Sequence, residues 1–210
     1  EAIWVLMYRR TDVEFEPAEW KTQKAHSRLI SRIDHPAVLR LLHAAKIQNA
    51  PAWVYEGFQG VSLKRVLAVA GANGEYFSAR AALETVERTV QGLRAAVRQG
   101  VSLSGTAGSV FHPGPSPDAL LIDAVGAVKL AGFALPDGDE IRVVDGYTPM
   151  TPGTVEQRAS YGVAALLVHL LGGERPGKSG TDTDRQNAVI RRALIRVLAR
   201  PGEAVPESVI

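Results

Sequence analysis

The chain has 210 residues, 46% of them hydrophobic and 22% charged, and it contains no cysteine. This composition is typical of one globular unit or two small lobes, and the lack of cysteine excludes disulfides and thiolate metal sites. The formal net charge of +2 is too small to indicate a nucleic-acid partner, and no apolar run approaches the roughly 20 residues of a membrane span.

Three strands and one helix are predicted in residues 1–60, from apolar runs and from apolar residues at three- and four-residue steps. In chain order they are a buried strand at Ala2–Tyr8, a helix at Pro17–Ile33, and strands at Val38–Ala45 and Ala52–Glu56 joined by a turn near Gln48–Asn49. A hinge-like break follows at Gly57–Gly60. Because the chain begins inside the first strand, we expect it to be part of a longer protein. The sequence leaves open whether the rest of that protein carries a membrane anchor.

Residues 61–210 are predicted to be mostly helical. The predicted elements are helices at Leu63–Ala70 (capped by Ser62), Ala79–Gln99 (capped by Ser78), Gln157–Leu171 and Asn187–Ala199, and a hairpin of Ala119–Ile122 with Ala127–Leu130. The second helix has an apolar stripe that is predicted to be buried, consisting of Leu83, Val86, Val90, Leu93 and Val97. Early strands and late helices indicate an α+β fold, with a small lobe at residues 1–60 and a helical lobe at residues 61–210.

The stretch FHPGPSPDALLID at residues 111–123 resembles the catalytic loop of protein kinases. That loop reads H-R-D-L-K-P-x-N before an apolar strand. Its Asp accepts the proton of the substrate hydroxyl, its Lys offsets phosphate charge, and its Asn binds magnesium. The three chemical positions are Gly114, Ser116 and Ala119 in this chain. The resemblance therefore implies a catalytic loop that has lost its chemistry.

Five further segments resemble, in order and at near-family spacing, the motifs of bacterial Ser/Thr kinases of the Hanks type. They are His35–Leu42 after the C-helix, the hinge pattern at Trp53–Leu63, the V-K-L-x-D-F-G pattern at Val128–Ala134, the Y-x-A-P-E pattern at Tyr147–Met150, and the central-helix pattern at Ser160–Val163. The resemblance covers nearly the whole chain. It implies a two-lobed protein kinase-like fold of the α+β class, with an incomplete β-rich N-lobe and a reduced helical C-lobe.

The departures from the kinase pattern fall on the residues of phosphoryl transfer. Gly132 replaces the metal-binding Asp of D-F-G. The third-strand Lys maps to Met7 or Tyr8, and the C-helix Glu that pairs with it in kinases maps to His26. The Lys and the Glu of this ion pair are both replaced, as we expect, because loss of one alone would leave an unpaired charge. The resemblance therefore implies a pseudokinase with no catalytic residue, no metal and no cofactor.

The hinge segment does not decide whether the chain binds a nucleotide. On the kinase alignment Tyr55 is the gatekeeper, and Glu56 and Phe58 offer backbone groups to an adenine. One alternative is a pseudokinase that senses ATP without magnesium, and another is an active kinase with a rearranged site. The active kinase would need a lysine in the cleft, whereas the lysines near the relevant segments are expected to face solvent, namely Lys21, Lys24 and Lys129.

Four threonines are candidates for phosphorylation. Thr148, Thr151 and Thr154 lie in or just after the segment aligned with the kinase activation segment. Thr181 has an Asp three residues later, a spacing that some phosphothreonine-reading FHA domains prefer. A phosphate adds roughly −1.5 to −2 charge and a docking point for the Arg cluster of a partner. The competing interpretation is a polar, glycine-flanked loop rich in turn formers.

The resemblance to pseudokinases implies a regulatory scaffold that binds a protein partner. The nearest analogy is the intracellular pseudokinase domain of mycobacterial MviN flippases, which is phosphorylated and recruits an FHA-domain protein to control peptidoglycan synthesis. By analogy, we expect an upstream Ser/Thr kinase, an FHA-domain partner, a role in cell-envelope control and a cytoplasmic location.

Overall fold

The computed structural model describes residues 3–7, 17–47, 50–101, 115–133 and 155–172. Within these residues the chain forms four α-helices and two small antiparallel sheets of three strands each. This mixture of helices and antiparallel sheets agrees with the predicted α+β class.

The first sheet has the strand order β1–β3–β2, with β1 at Ile3–Met7, β2 at Leu41–Ile47 and β3 at Ala50–Glu56. All three strands were predicted from apolar runs, and both outer strands run antiparallel to β3. β2 begins at Leu41 rather than at Val38, which forms an isolated parallel bridge instead. The central position of β3 agrees with the burial of Ala52, Trp53 and Tyr55.

Helix α1, at Pro17–Ile30, packs against this sheet. Its first residue is a proline, which the first helical turn tolerates because the missing N–H would have no partner there. The helix ends at Ile30 rather than at the predicted Ile33, which stays buried in the following turn. The Trp53 indole Nε1 donates a 3.1 Å hydrogen bond to Ser27 Oγ, and this buried contact fixes α1 to the central strand.

The second sheet has the order β4–β5–β6, with β4 at Gly60–Ser62, β5 at Leu120–Asp123 and β6 at Val128–Leu130. β4 was not predicted, because three residues with a leading glycine carry too little periodicity. The predicted hairpin is confirmed. Asp123 Oδ1 accepts hydrogen bonds from Val125 N at 3.0 Å and Ala127 N at 2.8 Å, so one side chain holds the turn between β5 and β6.

Both predicted helix caps are confirmed. Ser62 caps α2, at Leu63–Ala72, and its side chain accepts a hydrogen bond from Arg65 N. Ser78 caps α3, at Ala79–Arg98, in the same way. Helix α4, at Val155–Gly172, packs against α3, which also contacts β6.

The buried face of α3 differs from the predicted stripe. Leu83 and Val97 are 43% and 49% exposed, so that part of the prediction was wrong. The inward face consists mainly of small residues, namely Ala82, Thr85, Thr89, Gly92, Leu93 and Ala96. The hydroxyl of each buried threonine donates a 2.8 Å hydrogen bond to the carbonyl four residues earlier. Burial therefore leaves neither hydroxyl unpaired.

Several predicted features lie outside the described residues. They are the helix at Asn187–Ala199, the turn at Gln48–Asn49, the degenerate positions Tyr8 and Gly114, and the threonines Thr148, Thr151, Thr154 and Thr181. Among the helices that the structure does describe, none is both long enough and apolar enough to cross a membrane.

Candidate functional site

The two sheets meet at residues 37–40, the segment that precedes β2. This segment contacts both the end of β3 and strand β6. Leu39 N donates to Leu130 O and Leu130 N donates to Ala37 O, both at 2.8 Å. Glu56 N donates to Arg40 O at 3.0 Å. The segment before β2 therefore bridges the end of β3 to β6. The kinase resemblance assigns the hinge and the metal-binding segment to these same strands, which makes this junction the candidate site.

A charged pair spans the junction. The ammonium of Lys129, on β6, bonds to Glu56 Oε1 at the end of β3. The same carboxylate oxygen accepts a 3.0 Å hydrogen bond from Arg40 N. The Lys129 and Glu56 side chains are 19% and 29% exposed, so solvent screens this pair only in part.

The position of Lys129 corrects the expectation that it faces solvent. Its neighbours Val128 and Leu130 are buried on one face of β6, and alternation along the strand directs Lys129 to the opposite face. The carboxylate of Glu56 meets it there. Lys21 and Lys24 on α1 are exposed, as expected.

Phe58 lies beside this charged pair. Its ring is 7% exposed, and Lys129 Nζ lies 5.7 Å from the ring centroid, within the range of a cation–π contact. A Cβ on Gly60 would lie 2.4 Å from Phe58 Cε1 and 2.6 Å from Ile122 O. Only glycine at this position leaves room for the ring beside β5. The hinge candidates Glu56 and Phe58 are thus joined to one lysine.

Tyr55, the predicted gatekeeper, is buried in the first sheet. Its side chain is 4% exposed, and its hydroxyl has no hydrogen-bond partner among the described residues. Burial raises the pKa of the Tyr55 hydroxyl well above its ordinary value, because the charged phenolate would be desolvated. Alternation along β3 places Tyr55 on the same face as Trp53, the face that contacts α1. His26 lies half-buried on that helix.

The structure brings together the two positions that the resemblance assigns to magnesium ligands. Ala131 N donates a 2.7 Å hydrogen bond to Ala119 O, so Ala119 lies beside the residue preceding Gly132. Gly132 has a φ of 90°, a left-handed conformation that favours glycine. Neither Ala119 nor Gly132 has a side-chain oxygen that could bind a cation. Ser116, at the position of the loop Lys, is 2% exposed.

The two carboxylates that flank the loop are engaged elsewhere. Asp118 pairs with Lys64 at 2.9 Å on the exposed surface, and Asp123 accepts the backbone hydrogen bonds of its own turn. Met7 is the last residue of β1, where it pairs with Ala52. Across the described ranges, no group of three or more His, Asp or Glu residues is arranged to hold a metal ion.

No protein-family model matches this sequence, and no curated protein matches it either.

Proposed function

We propose that this chain is a catalytically inactive protein kinase homology domain, a pseudokinase, that acts as a regulatory scaffold for a protein partner. The observation that supports it most directly is the contact between Ala119 and Ala131. It brings the two aligned metal-ligand positions, Ala119 and Gly132, close together without a ligating side chain. Phosphoryl transfer depends on magnesium at the β- and γ-phosphates, and this arrangement supplies no protein ligand for it.

The order of the elements supports a two-lobed kinase-like architecture. A three-stranded sheet with α1 corresponds to the incomplete N-lobe, residues 1–60. Helices α2 and α3, the β5–β6 hairpin and α4 follow in the order expected of a helical C-lobe, residues 61–210. The hinge motif falls between β3 and α2, which is where the two lobes would join.

The engagement of the lysines argues against an active kinase with a rearranged site. Lys129 reaches the junction, where its ammonium is bound to Glu56, but it lies on β6 and not on the strand that carries the phosphate-binding lysine in kinases. Lys64 is paired with Asp118. The aligned lysine position is Met7 or Tyr8, and neither residue carries a positive charge.

The partner in this proposal is an FHA-domain protein that reads a phosphothreonine. The candidate acceptors are Thr148, Thr151, Thr154 and Thr181, and an upstream Ser/Thr kinase would modify them. The basis is the sequence pattern and the analogy with envelope-control pseudokinases. A cytoplasmic location belongs to the same proposal, because the kinase and its ATP are found there.

Phosphorylation followed by binding tests the partner. A purified Hanks-type kinase with ATP and magnesium is expected to modify at least one candidate threonine, which mass spectrometry would map. The modified chain is then expected to bind a member of a panel of purified FHA domains. Alanine at the modified threonine should abolish binding, whereas alanine at an unmodified candidate, the matched control, should not. Lack of phosphate at all four positions, or binding that survives the alanine replacement, would contradict the proposal.

A nucleotide-sensing pseudokinase is the second candidate, and the Tyr55 hydroxyl favours it. This hydroxyl is buried and has no partner among the residues that the structure describes, which costs free energy, and a ligand that reaches this face of the sheet would supply a hydrogen bond to it. The two candidates differ in one measurable respect, because a sensor is stabilised by ATP or ADP without magnesium and a nucleotide-free scaffold is not.

A further inference from the structure

The contacts at the junction form a closed path. Along the backbone, Glu56 N bonds to Arg40 O and Leu39 N bonds to Leu130 O, which connects the end of β3 to β6. Lys129 precedes Leu130, and its ammonium returns to the Glu56 carboxylate. That carboxylate also accepts the Arg40 N–H. The path therefore begins and ends at Glu56, with backbone bonds on one side and a side-chain ion pair on the other.

The side-chain part of this path is better protected than the other ion pairs among the described residues. Lys129 and Glu56 are 19% and 29% exposed, compared with 68% and 57% for Lys64 and Asp118. Exposed pairs contribute little because water and salt screen them. The junction pair adds a second donor, Arg40 N, and an aromatic ring, Phe58, under the ammonium. Charge-assisted hydrogen bonds of this kind are stronger than neutral ones.

The backbone bonds between the sheets join neighbouring residues of one short segment to one short strand, while buried side chains of both sheets share one core. The Glu56 carboxylate belongs to a different strand, β3, and its bond to Lys129 ties that strand directly to β6. Such a second attachment restricts rotation about the first.

We propose that Glu56, Lys129 and Phe58 form a hinge lock that fixes the angle between the two sheets. The lock follows from these contacts alone and does not depend on the proposed scaffold function. It holds the two sheets in one arrangement until the charge of either Glu56 or Lys129 is lost or captured by another group. A surface that spans both sheets would then meet its partner already ordered, which lowers the entropic cost of binding.

Amide hydrogen exchange of the purified chain tests the lock. Lys129→Met keeps an apolar stem over Phe58 but removes the charge. We expect it to accelerate exchange at Leu39, Glu56 and Leu130 by about tenfold or more, while amides in the middle of α3 change by less than about twofold. Lys64→Met, which removes an exposed pair, is the matched control and should leave the junction amides unchanged.

Glu56→Gln provides an independent variant, because it keeps the shape and an acceptor for Arg40 N. It should give the same local pattern, and the double variant should exchange no faster than the faster single variant, because both remove one interaction. Equal exchange in the Lys129→Met and Lys64→Met proteins would overturn the lock. So would acceleration of equal size at the junction and in α3, since it would indicate global destabilisation only.

Discussion

Two buried polar groups on β3 differ in how their burial is compensated. The Trp53 side chain is fully buried, and its Nε1 donates to Ser27 Oγ, which in turn donates to Gln23 O at 2.8 Å. The Tyr55 hydroxyl has no such partner among the described residues. An unsatisfied buried group costs about 1–3 kcal/mol, whereas a satisfied one contributes modestly to stability. Loss of the acceptor for the Trp53 N–H should therefore lower the free energy of unfolding, whereas removal of the Tyr55 hydroxyl should raise it.

Ser27→Ala should destabilise the fold. The substitution leaves the Trp53 N–H without an acceptor in a site closed to water, and we expect the free energy of unfolding to fall by about 1–3 kcal/mol. Urea unfolding followed by tryptophan fluorescence measures it. Ser31→Ala is the matched control, because Ser31 Oγ donates an exposed hydrogen bond to Arg28 O, and its effect should stay within about 0.5 kcal/mol. Equal effects of the two substitutions would contradict the role of the Ser27 bridge.

Tyr55→Phe should stabilise the fold at neutral pH by about 1 kcal/mol, because it removes a buried hydroxyl that none of the described residues pairs with. It should also change the pH dependence. The pKa of Tyr55 is raised in the folded state, so the unfolded chain releases this proton from roughly pH 10 upward while the folded chain keeps it. The fold therefore loses stability as the pH rises above that value.

Urea unfolding at pH 7 and at about pH 10.5 tests this prediction. The natural chain should lose more stability between the two values than the Tyr55→Phe variant. Tyr161→Phe, at a residue that is 40% exposed, is the control and should match the natural chain. A loss of stability in Tyr55→Phe at pH 7 would show that the hydroxyl has a partner in the folded protein.

Helix α3 shows how an element can be buried through its smallest residues. A Cβ on Gly92 would lie 2.8 Å from Ala37 O and 3.4 Å from both Leu130 Cβ and Val38 Cγ2. The backbone before β2 therefore lies directly on the helix, and larger side chains would separate them. This close approach anchors the same segment that bridges the two sheets.

Gly92→Ala should destabilise the chain by about 1–3 kcal/mol, because the added methyl group meets backbone rather than a movable side chain. The loss should exceed the gain of up to about 1 kcal/mol that alanine gives in a helix. Gly71→Ala in α2 is the matched control, since a Cβ there meets nothing within 4 Å, and it should be neutral or stabilising. Chemical denaturation of both variants measures the difference. A stabilised Gly92→Ala protein would contradict the close packing.

Element positions could be predicted from sequence where apolar runs and capping residues were strong, as for β1, α2 and the β5–β6 hairpin. The inward face of α3 could not. Leu83 and Val97 have the right spacing for a core stripe, but the tertiary contact selects Thr85, Thr89 and Gly92, which hydropathy does not mark as buried. The Ser27–Trp53 bond was missed for the same reason, because a serine on a helix reads as polar surface.

At the scale of the molecule, the order of the described elements could be predicted from sequence, whereas the interpretation of Ser116, Ala119 and Gly132 as degenerate kinase positions stays a prediction. The contact that joins the sheets could not be predicted. Glu56 and Lys129 lie 73 residues apart, and no local pattern relates them. Lysine in a V-K-L strand is typical of an exposed face, and only the fold brings a carboxylate to it. The sequence thus predicts a loss of kinase chemistry, while the structure shows how Glu56 and Lys129 pair.

Thermal unfolding of the purified chain with millimolar ATP or ADP, with and without magnesium, tests whether the chain lacks the metal site of a kinase. A nucleotide at about 100 times its dissociation constant would stabilise the fold by roughly 2.7 kcal/mol, an easily measured rise in Tm. The pseudokinase account predicts no shift that requires magnesium, with magnesium chloride alone as the control. A shift that appears only with magnesium and disappears on chelation would mean that the cleft holds a metal–nucleotide complex, and it would contradict the account.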